Sequence, residues 1–444
     1  MSADGFKWGA ATAAFQIEGA TKADGRGESI WDRFAAAPGN VANGDTGDPA
    51  CEHYYRWRDD VDLMQSLGLQ SYRFSIAWPR IQPTGRGPAN QKGLDFYRRL
   101  VEALLARGIA PLATLYHWDL PQALEDQGGW PSRDVVERFV EYAQIVYAEL
   151  GDVVHDWLTH NEPWVTSFLG YAHGIKAPGM TDWGLALRAA HHTLLSHGAA
   201  VRAFRESGTE GRIGIALDLT VASPATSSAG DAAAARRFDG YHNRWFLDPV
   251  LRATYPDDVR QWFEKRFDFD FVRDGDLELI AQPIDFLGVN FYNPHVVAAS
   301  DESVLELRDV ALDAERTAMG WPIVPDALRQ LLVRVHRDYG PVPLVITENG
   351  AAFDDGVDGH DVVEDPRRVE FVRAHIDAVE RARAEGVDVR GYHVWSLLDN
   401  FEWEHGYDKR FGIVFVDYAT QRRIPKRSAL WYRDLIASRS ERTS

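Results

Sequence analysis

Short apolar or β-branched runs alternate with longer amphipathic stretches along almost the whole chain. Runs suited to strands fall at 7–12, 71–76, 110–116, 156–161, 211–217, 285–292, 343–348 and 389–397. Each is too short for a helix, and each consists mostly of residues that pack well when buried. Between them lie stretches with helical periodicity, among them 93–107, 132–150, 182–206, 325–338 and 367–385. Ser132 and Asp182 stand where the second and third of these would be capped. Eight strand-then-helix units in succession predict an α/β fold, a closed parallel (β/α)8 TIM barrel.

The spacing also gives the barrel a polarity. Helix-to-strand connections are short, as at Arg107-Gly108-Ile109 and Glu385-Gly386-Val387. Strand-to-helix connections are long at 13–56, 162–181, 293–324, 349–366 and 398–425. Long loops at the C-terminal ends of the strands form the active face of such a barrel, and compact domains seldom carry loops of this length without use. The expectation is therefore one elaborated barrel over residues 1–444, although the length alone suggests about three domains.

Composition narrows the function classes. The formal net charge of −18 disfavours nucleic acid, whose binding needs a basic face. The single cysteine, Cys51, excludes an internal disulfide and the cysteine-rich secreted class. Residues Met1 to Trp8 show no basic segment followed by an apolar run, and no stretch approaches the ~18 apolar residues of a membrane span. A cytoplasmic protein without membrane contact is expected; the oligomeric state is not read. The 15 Trp, 16 Tyr and 21 Phe are mostly core, but sugars stack their C–H faces on aromatic rings, so the tryptophans point mildly to carbohydrate.

Two glutamates end apolar runs in polar company: Glu162 in Thr159-His160-Asn161-Glu162-Pro163 and Glu348 in Ile346-Thr347-Glu348-Asn349-Gly350. One glutamate at a strand end is ordinarily a surface or capping residue. Two at the mouth of one barrel, on strands four and seven, match the carboxylate pair that glycosidic cleavage requires.

At these motifs the sequence resembles glycoside hydrolase family 1, the β-glucosidases and β-galactosidases, from Phe6 to about Tyr432. The resemblance rests on Phe15-Gln16-Ile17-Glu18-Gly19, Tyr72-Arg73-Phe74-Ser75, Leu115-Tyr116-His117-Trp118-Asp119, Asn161-Glu162-Pro163-Trp164, Gly288-Val289-Asn290-Phe291-Tyr292, Thr347-Glu348-Asn349-Gly350 and the run from Trp395 to Trp403. It implies a retaining β-glucosidase acting on small β-glycosides, with Glu162 as proton donor and Glu348 as nucleophile, needing no cofactor and no metal. It further implies that Arg73 and Tyr292 support Glu348, and that Gln16, His117, Asn161, Glu402 and Trp403 hold sugar hydroxyls. Trp395 would be the floor under the sugar, Trp321 a platform for the leaving group, and Asn290 and Trp118 supporting positions. In retaining enzymes the two carboxyls stand about 5–5.5 Å apart, close enough for one charge to raise the other's pKa.

Several alternatives bear on the reading. Taken singly, Trp395 and His117 would be core or structural residues, and Arg73 a charge neutraliser. β-Galactosidase or β-fucosidase activity within the family stays open, as does a sugar-binding barrel without turnover. A metallohydrolase built on His191, His192 and His197 is disfavoured because no two of them are spaced i, i+4. Relatives that take phosphorylated sugars hold the phosphate near the segment Glu402-Trp403-Glu404-His405, where two glutamates would repel it. Thioglucosidase relatives carry Gln where Glu162 stands. Lys176 replaces the histidine of the family's usual Gly-x-His-Ala-Pro-Gly and bears on leaving-group preference.

Overall fold

A computed structural model describes residues 5–356 and 362–441. Eight parallel strands close into a barrel: β1 (Lys7–Ala11), β2 (Ser71–Ser75), β3 (Ala110–Tyr116), β4 (Asp156–Asn161), β5 (Arg212–Asp218), β6 (Phe286–Asn290), β7 (Leu344–Asn349) and β8 (Val389–Trp395). All eight runs read from the sequence are the barrel strands, with ends differing by three residues at most. Closure comes from β1, which pairs with β8 from Lys7↔Gly391 to Ala11↔Trp395 and with β2 from Gly9↔Ser71. Strands buried on both faces read as continuous apolar runs and not as alternations, which is why they were legible.

The outer helices follow the predicted periodicity. Gln91–Ala106 buries Leu94, Tyr97, Val101 and Leu104, one stripe at the helical spacing. Asp182 caps Trp183–Glu206 by accepting from the Leu185 N–H at 3.0 Å. Ser132 does not cap the preceding helix: it starts at Asp134, its N-cap is Arg133, and no side chain closes it. Ser132 instead sits in a turn, its own N–H donating to the Gly129 carbonyl.

The long loops carry structure of their own. Within 13–56 lies the helix Ile30–Ala36, closed by a capping box between Ser29 and Asp32. It holds Trp31 fully buried, with its ring centroid 4.5 Å from that of Trp403. The loop after β8 contains the antiparallel pair Val414–Asp417 and Arg422–Pro425. Predicted loop 349–366 lies partly outside the described residues. Gly350 must be glycine, since a Cβ there would stand 1.7 Å from the Trp395 carbonyl oxygen. That close approach locks the end of β7 against the end of β8.

The three histidines of Trp183–Glu206 diverge to separate partners. His191 reaches Tyr255 and Asp276, both at 2.9 Å; His192 reaches the Trp130 carbonyl at 3.0 Å; His197 reaches Thr159 at 2.7 Å. They pack the helix onto the barrel.

Candidate active site

A cavity of about 380 Å³ opens at the C-terminal ends of the strands. Nine of the thirteen residues singled out above line it: His117, Trp118, Glu162, Tyr292, Trp321, Glu348, Trp395, Glu402 and Trp403. The other four stand behind its wall. A larger cavity, about 850 Å³, lies at the opposite end, where Lys7 and Arg212 are both paired to Asp156.

Glu348 lies within β7 and is held from two sides. Arg73, fully buried on β2, donates from Nη1 to Glu348 Oε1, and the Tyr292 hydroxyl donates to Oε2 at 2.6 Å. The rest of the guanidinium is spent on Asn161 Oδ1 at 2.6 Å, Thr114 Oγ1 at 3.3 Å and the Thr347 carbonyl at 3.3 Å. An arginine with every edge engaged is a fixed charge.

Glu162 follows β4 directly with φ at +47°, the left-handed region that side chains seldom adopt. Its N–H donates to the Ala216 carbonyl at 2.9 Å. Its carboxyl accepts 2.7 Å from Asn290 Nδ2, a neutral donor. Trp118 and Trp403 share positive φ, at +79° and +49°. Three such residues around one cavity are backbone strain gathered at one place, of order 1–3 kcal/mol each.

An amide relay joins the two carboxyls. Asn161 Oδ1 accepts from Arg73 and, at 2.9 Å, from Asn290 Nδ2; Thr347 Oγ1 donates to Asn290 Oδ1 at 2.6 Å. This fixes the orientation of both amides, since each oxygen faces a donor. Asn161 Nδ2 is thereby turned to His117 Nε2 at 3.1 Å. Burial and the Arg73 charge hold the His117 imidazole neutral, so Nε2 accepts and the proton sits on Nδ1.

The surroundings separate the two carboxyls. Burial pushes both upward from the ordinary range. For Glu348 the Arg73 guanidinium and the Tyr292 hydroxyl oppose that push. For Glu162 the negative charges of Glu348 and Asp218 add to it, and it stands well above its usual range. Both carboxyls are raised, Glu162 the further, so of the two it holds its proton the more firmly.

Among the buried polar atoms of this region without a hydrogen-bond partner are Gln16 Oε1, His117 Nδ1 and Glu402 Oε2. Gln16 is anchored through Nε2 to Asn400 Oδ1 at 2.9 Å and to the Phe401 carbonyl at 2.8 Å, just before Glu402. Buried polar groups are ordinarily paired, so three orphans from loops after β1, β3 and β8 form a cradle for hydroxyls. The His117 ring lies between those of Trp395, at 5.9 Å and 19°, and Trp403, at 6.0 Å and 18°. Trp321 packs on Tyr292 and Phe411, at 5.3 and 6.0 Å.

Lys176 takes a place its position in sequence did not suggest. It crosses from the loop after β4 to pair with Glu404 and lies 5.7 Å from the Trp118 ring centre. The two glutamates of this segment are therefore not uncompensated. Burial pushes Glu402 up to about 8, and the Lys176 charge is what pulls it back.

Asp218, Trp164 and His242 also line the cavity and were missed. Asp218 carries the same signal as the two glutamates, an acid closing an apolar run, but the strand was read one residue short. Trp164 lies in the Asn161-Glu162-Pro163-Trp164 motif without being given a role there, and His242 carries no local signal.

Asp119, next to Trp118, is fully buried with neither carboxylate oxygen hydrogen-bonded. Burial pushes it up to about 8, against the attraction of Arg26. An unfolded aspartate titrates near 4, so the folded chain holds the extra proton between about pH 4 and 8. Its stability contribution falls as pH rises through that window. Asp119→Asn removes this dependence: relative to the native chain it gains stability from pH 5 to pH 9, by at most ~1.4 kcal/mol per pH unit. Denaturant titrations at both pH values read the difference, and parallel stability curves for the two proteins would rule it out.

The family model described as glycosyl hydrolase family 1 matches residues 2–441. Beta-glucosidase A of Acetivibrio thermocellus is 48% identical over 435 residues, 97% of each chain. Thermostable beta-glucosidase B of Thermobispora bispora is 52% identical over 444 aligned positions, 98% of this chain and 90% of that one. The solved family 1 β-glucosidase from Thermotoga maritima superposes with a TM-score of 0.95 at 46% identity, covering 98% of this chain and 97% of its own.

Proposed function

The chain belongs to glycosyl hydrolase family 1, and from that premise we propose a retaining β-glucosidase that releases terminal β-D-glucosyl residues from O-glycosides and cello-oligosaccharides by double displacement. The observation that carries the reading is the unequal support of two carboxyls in one cavity. Glu348 has a buried arginine and a tyrosine hydroxyl; Glu162 has a neutral amide and neighbouring negative charge.

In the proposed mechanism Glu348 attacks the anomeric carbon while Glu162 passes its proton to the glycosidic oxygen, and the aglycone leaves as an alcohol. The resulting glycosyl ester has no charge on Glu348. One of the pushes on Glu162 is then gone, so its pKa falls and it can take a proton from water. That water attacks the anomeric carbon, the bond to Glu348 breaks, and the β-anomer is released. Asn161, Arg73 and Asn290 hold the two carboxyls in register throughout, without needing to change partners.

Gln16, His117, Asn161, Glu402 and Trp403 are proposed to bind the sugar hydroxyls, over Trp395 as floor, with Trp321 and Trp118 at the rim. The three orphaned atoms support this, because a polyhydroxylated ligand would offer each of them a partner. No helix among the described residues is long and apolar enough to cross a membrane. A cytoplasmic location is part of the proposal, since a lone buried thiol suits a reducing compartment.

The direct test is nitrophenyl β-glucoside hydrolysis followed by proton NMR of the first-formed sugar. Release of the β-anomer is expected. Initial release of the α-anomer, or no turnover of any β-glycoside, overturns the reading.

A further inference from the structure

Beside the proposed proton donor stands a third carboxylate that the mechanism above leaves without a task. Asp218 is the last residue of β5, in register with Asn290 on β6. Two residues earlier, the Ala216 carbonyl receives the N–H of Glu162. Asp218 therefore ends the strand that lies between the one leading to Glu162 and the one carrying Asn290, and both acids line the same cavity. Its side chain is 19% exposed, and its Oδ2 lies 3.2 Å from His242 Nε2.

His242 is held in place by rings, not by hydrogen bonds. Its imidazole lies 4.1 Å from Trp164, two residues past Glu162, and stacks on Phe238 at 5.5 Å. Neither ring nitrogen has an aligned hydrogen-bond partner. The pair is thus built into the wall next to the donor, with His242 packed among rings and Asp218 beside it.

We propose that Asp218 is a positioning residue for the proton donor, a fixed negative charge that keeps the proton on Glu162 and so sets the alkaline limit of catalysis. This rests on the reading of Glu162 as general acid. The groups facing Glu162 can be taken element by element. Arg73 on β2 is consumed by Glu348; His117 after β3 is neutral; Asn290 on β6 and Tyr292 after it are uncharged donors; Glu348 on β7 is negative. Asp218 on β5 is the other acid, with His242 behind it. After burial and Glu348, Asp218 is the next largest influence holding the Glu162 proton.

The charge on Asp218 differs from that on Glu348 in one consequential way. It persists when Glu348 is esterified, so Glu162 remains a stronger base for the water step than it would be alone. A like charge in the same partly screened cavity shifts a carboxyl by roughly half a unit to one unit.

The experiment compares pH profiles of kcat/KM for the native enzyme, Asp218→Asn, Asp218→Ser and Asp218→Glu with cellobiose. The alkaline limb should move to lower pH by about 0.5–1 unit in the Asn and Ser variants and return in the Glu variant. The Ser variant, being small, reads the same shift should Asn not fold. A limb that stays in place in the neutral variants while kcat falls at every pH overturns the proposal, because a merely structural role does just that. Glu162→Gln, assayed with a dinitrophenyl β-glucoside, separates the two ideas. If its alkaline limb persists, the reading of Glu162 fails; if that limb vanishes yet Asp218→Asn leaves the native limb unmoved, only the role of Asp218 fails.

Discussion

Glu348→Ala lowers kcat for β-glucoside hydrolysis by at least ~10⁴-fold, the scale of loss on deleting a nucleophile that acts in concert with its partners. Azide then restores part of the turnover and yields an α-glucosyl azide. The methyl side chain vacates the space beneath the anomeric carbon, and a small anion entering there meets the unpaired Arg73 guanidinium and Tyr292 hydroxyl. It attacks from the face that Glu348 used, while Glu162 still protonates the leaving group, so a single displacement inverts the configuration. A β-azide would mean that the roles of the two glutamates are reversed. The variant also leaves a fully buried arginine without its counter-charge, which costs ~3–5 kcal/mol. Circular dichroism and a thermal melt must therefore accompany the kinetics, and azide should raise the melting temperature of the variant but not of the native enzyme.

Glu162→Ala has an effect that depends on the leaving group. General acid assistance contributes typically ~10²–10⁴-fold, and it matters in proportion to the basicity of the departing oxygen. A dinitrophenolate leaves unaided, so formation of the glycosyl-enzyme with that substrate should be little changed. Cellobiose, whose leaving group is a sugar alkoxide, should lose most of that factor. With the activated substrate the water step becomes limiting, and added azide should speed turnover and give a β-azide, opposite in configuration to the Glu348→Ala product. The alkaline limb should also disappear: a group held well above its usual range is lost as an acid when pH rises through its pKa, and the variant has none to lose. Equal losses on dinitrophenyl glucoside and cellobiose would count against Glu162 as the acid.

The two glutamates share one local property, an acid at the end of an apolar run, whereas Gln16, Arg73, His117, Tyr292, Trp395, Glu402 and Trp403 are legible only through the family motifs. Glu162 and Glu348 had it and were found. Asp218 had it too, but closes a strand read as ending at Leu217. Trp164 ends the Asn161-Glu162-Pro163-Trp164 motif, but nothing local marks His242; a helical segment from another loop brings its ring against Trp164. The capping box at Ser29 and Asp32 was overlooked because the whole of 13–56 was taken as a loop, although its helix is what backs Trp403. Ser132 failed as a cap because a turn through Gly129 satisfied its N–H first.

What the sequence by itself determined is the barrel, its polarity and the two glutamates at its mouth. Burial on both faces makes most of the strands largely apolar, with polar residues such as Arg73 on β2 and His160 on β4 interrupting them, and parallel strands linked by helices place all their C-terminal ends together. What only the tertiary structure decided is which charge sits beside which. Arg73 comes from β2 to Glu348, whereas Glu162 has the neutral amide of Asn290 from β6 and the negative charges of Glu348 and Asp218 around it. Lys176 compensates Glu404 because two loops, more than 200 residues apart in sequence, meet across the cavity. Hydrophobic pattern is a property of neighbours along the chain, whereas a pKa in a buried site is set by neighbours in space, where the low dielectric lets each of them be felt.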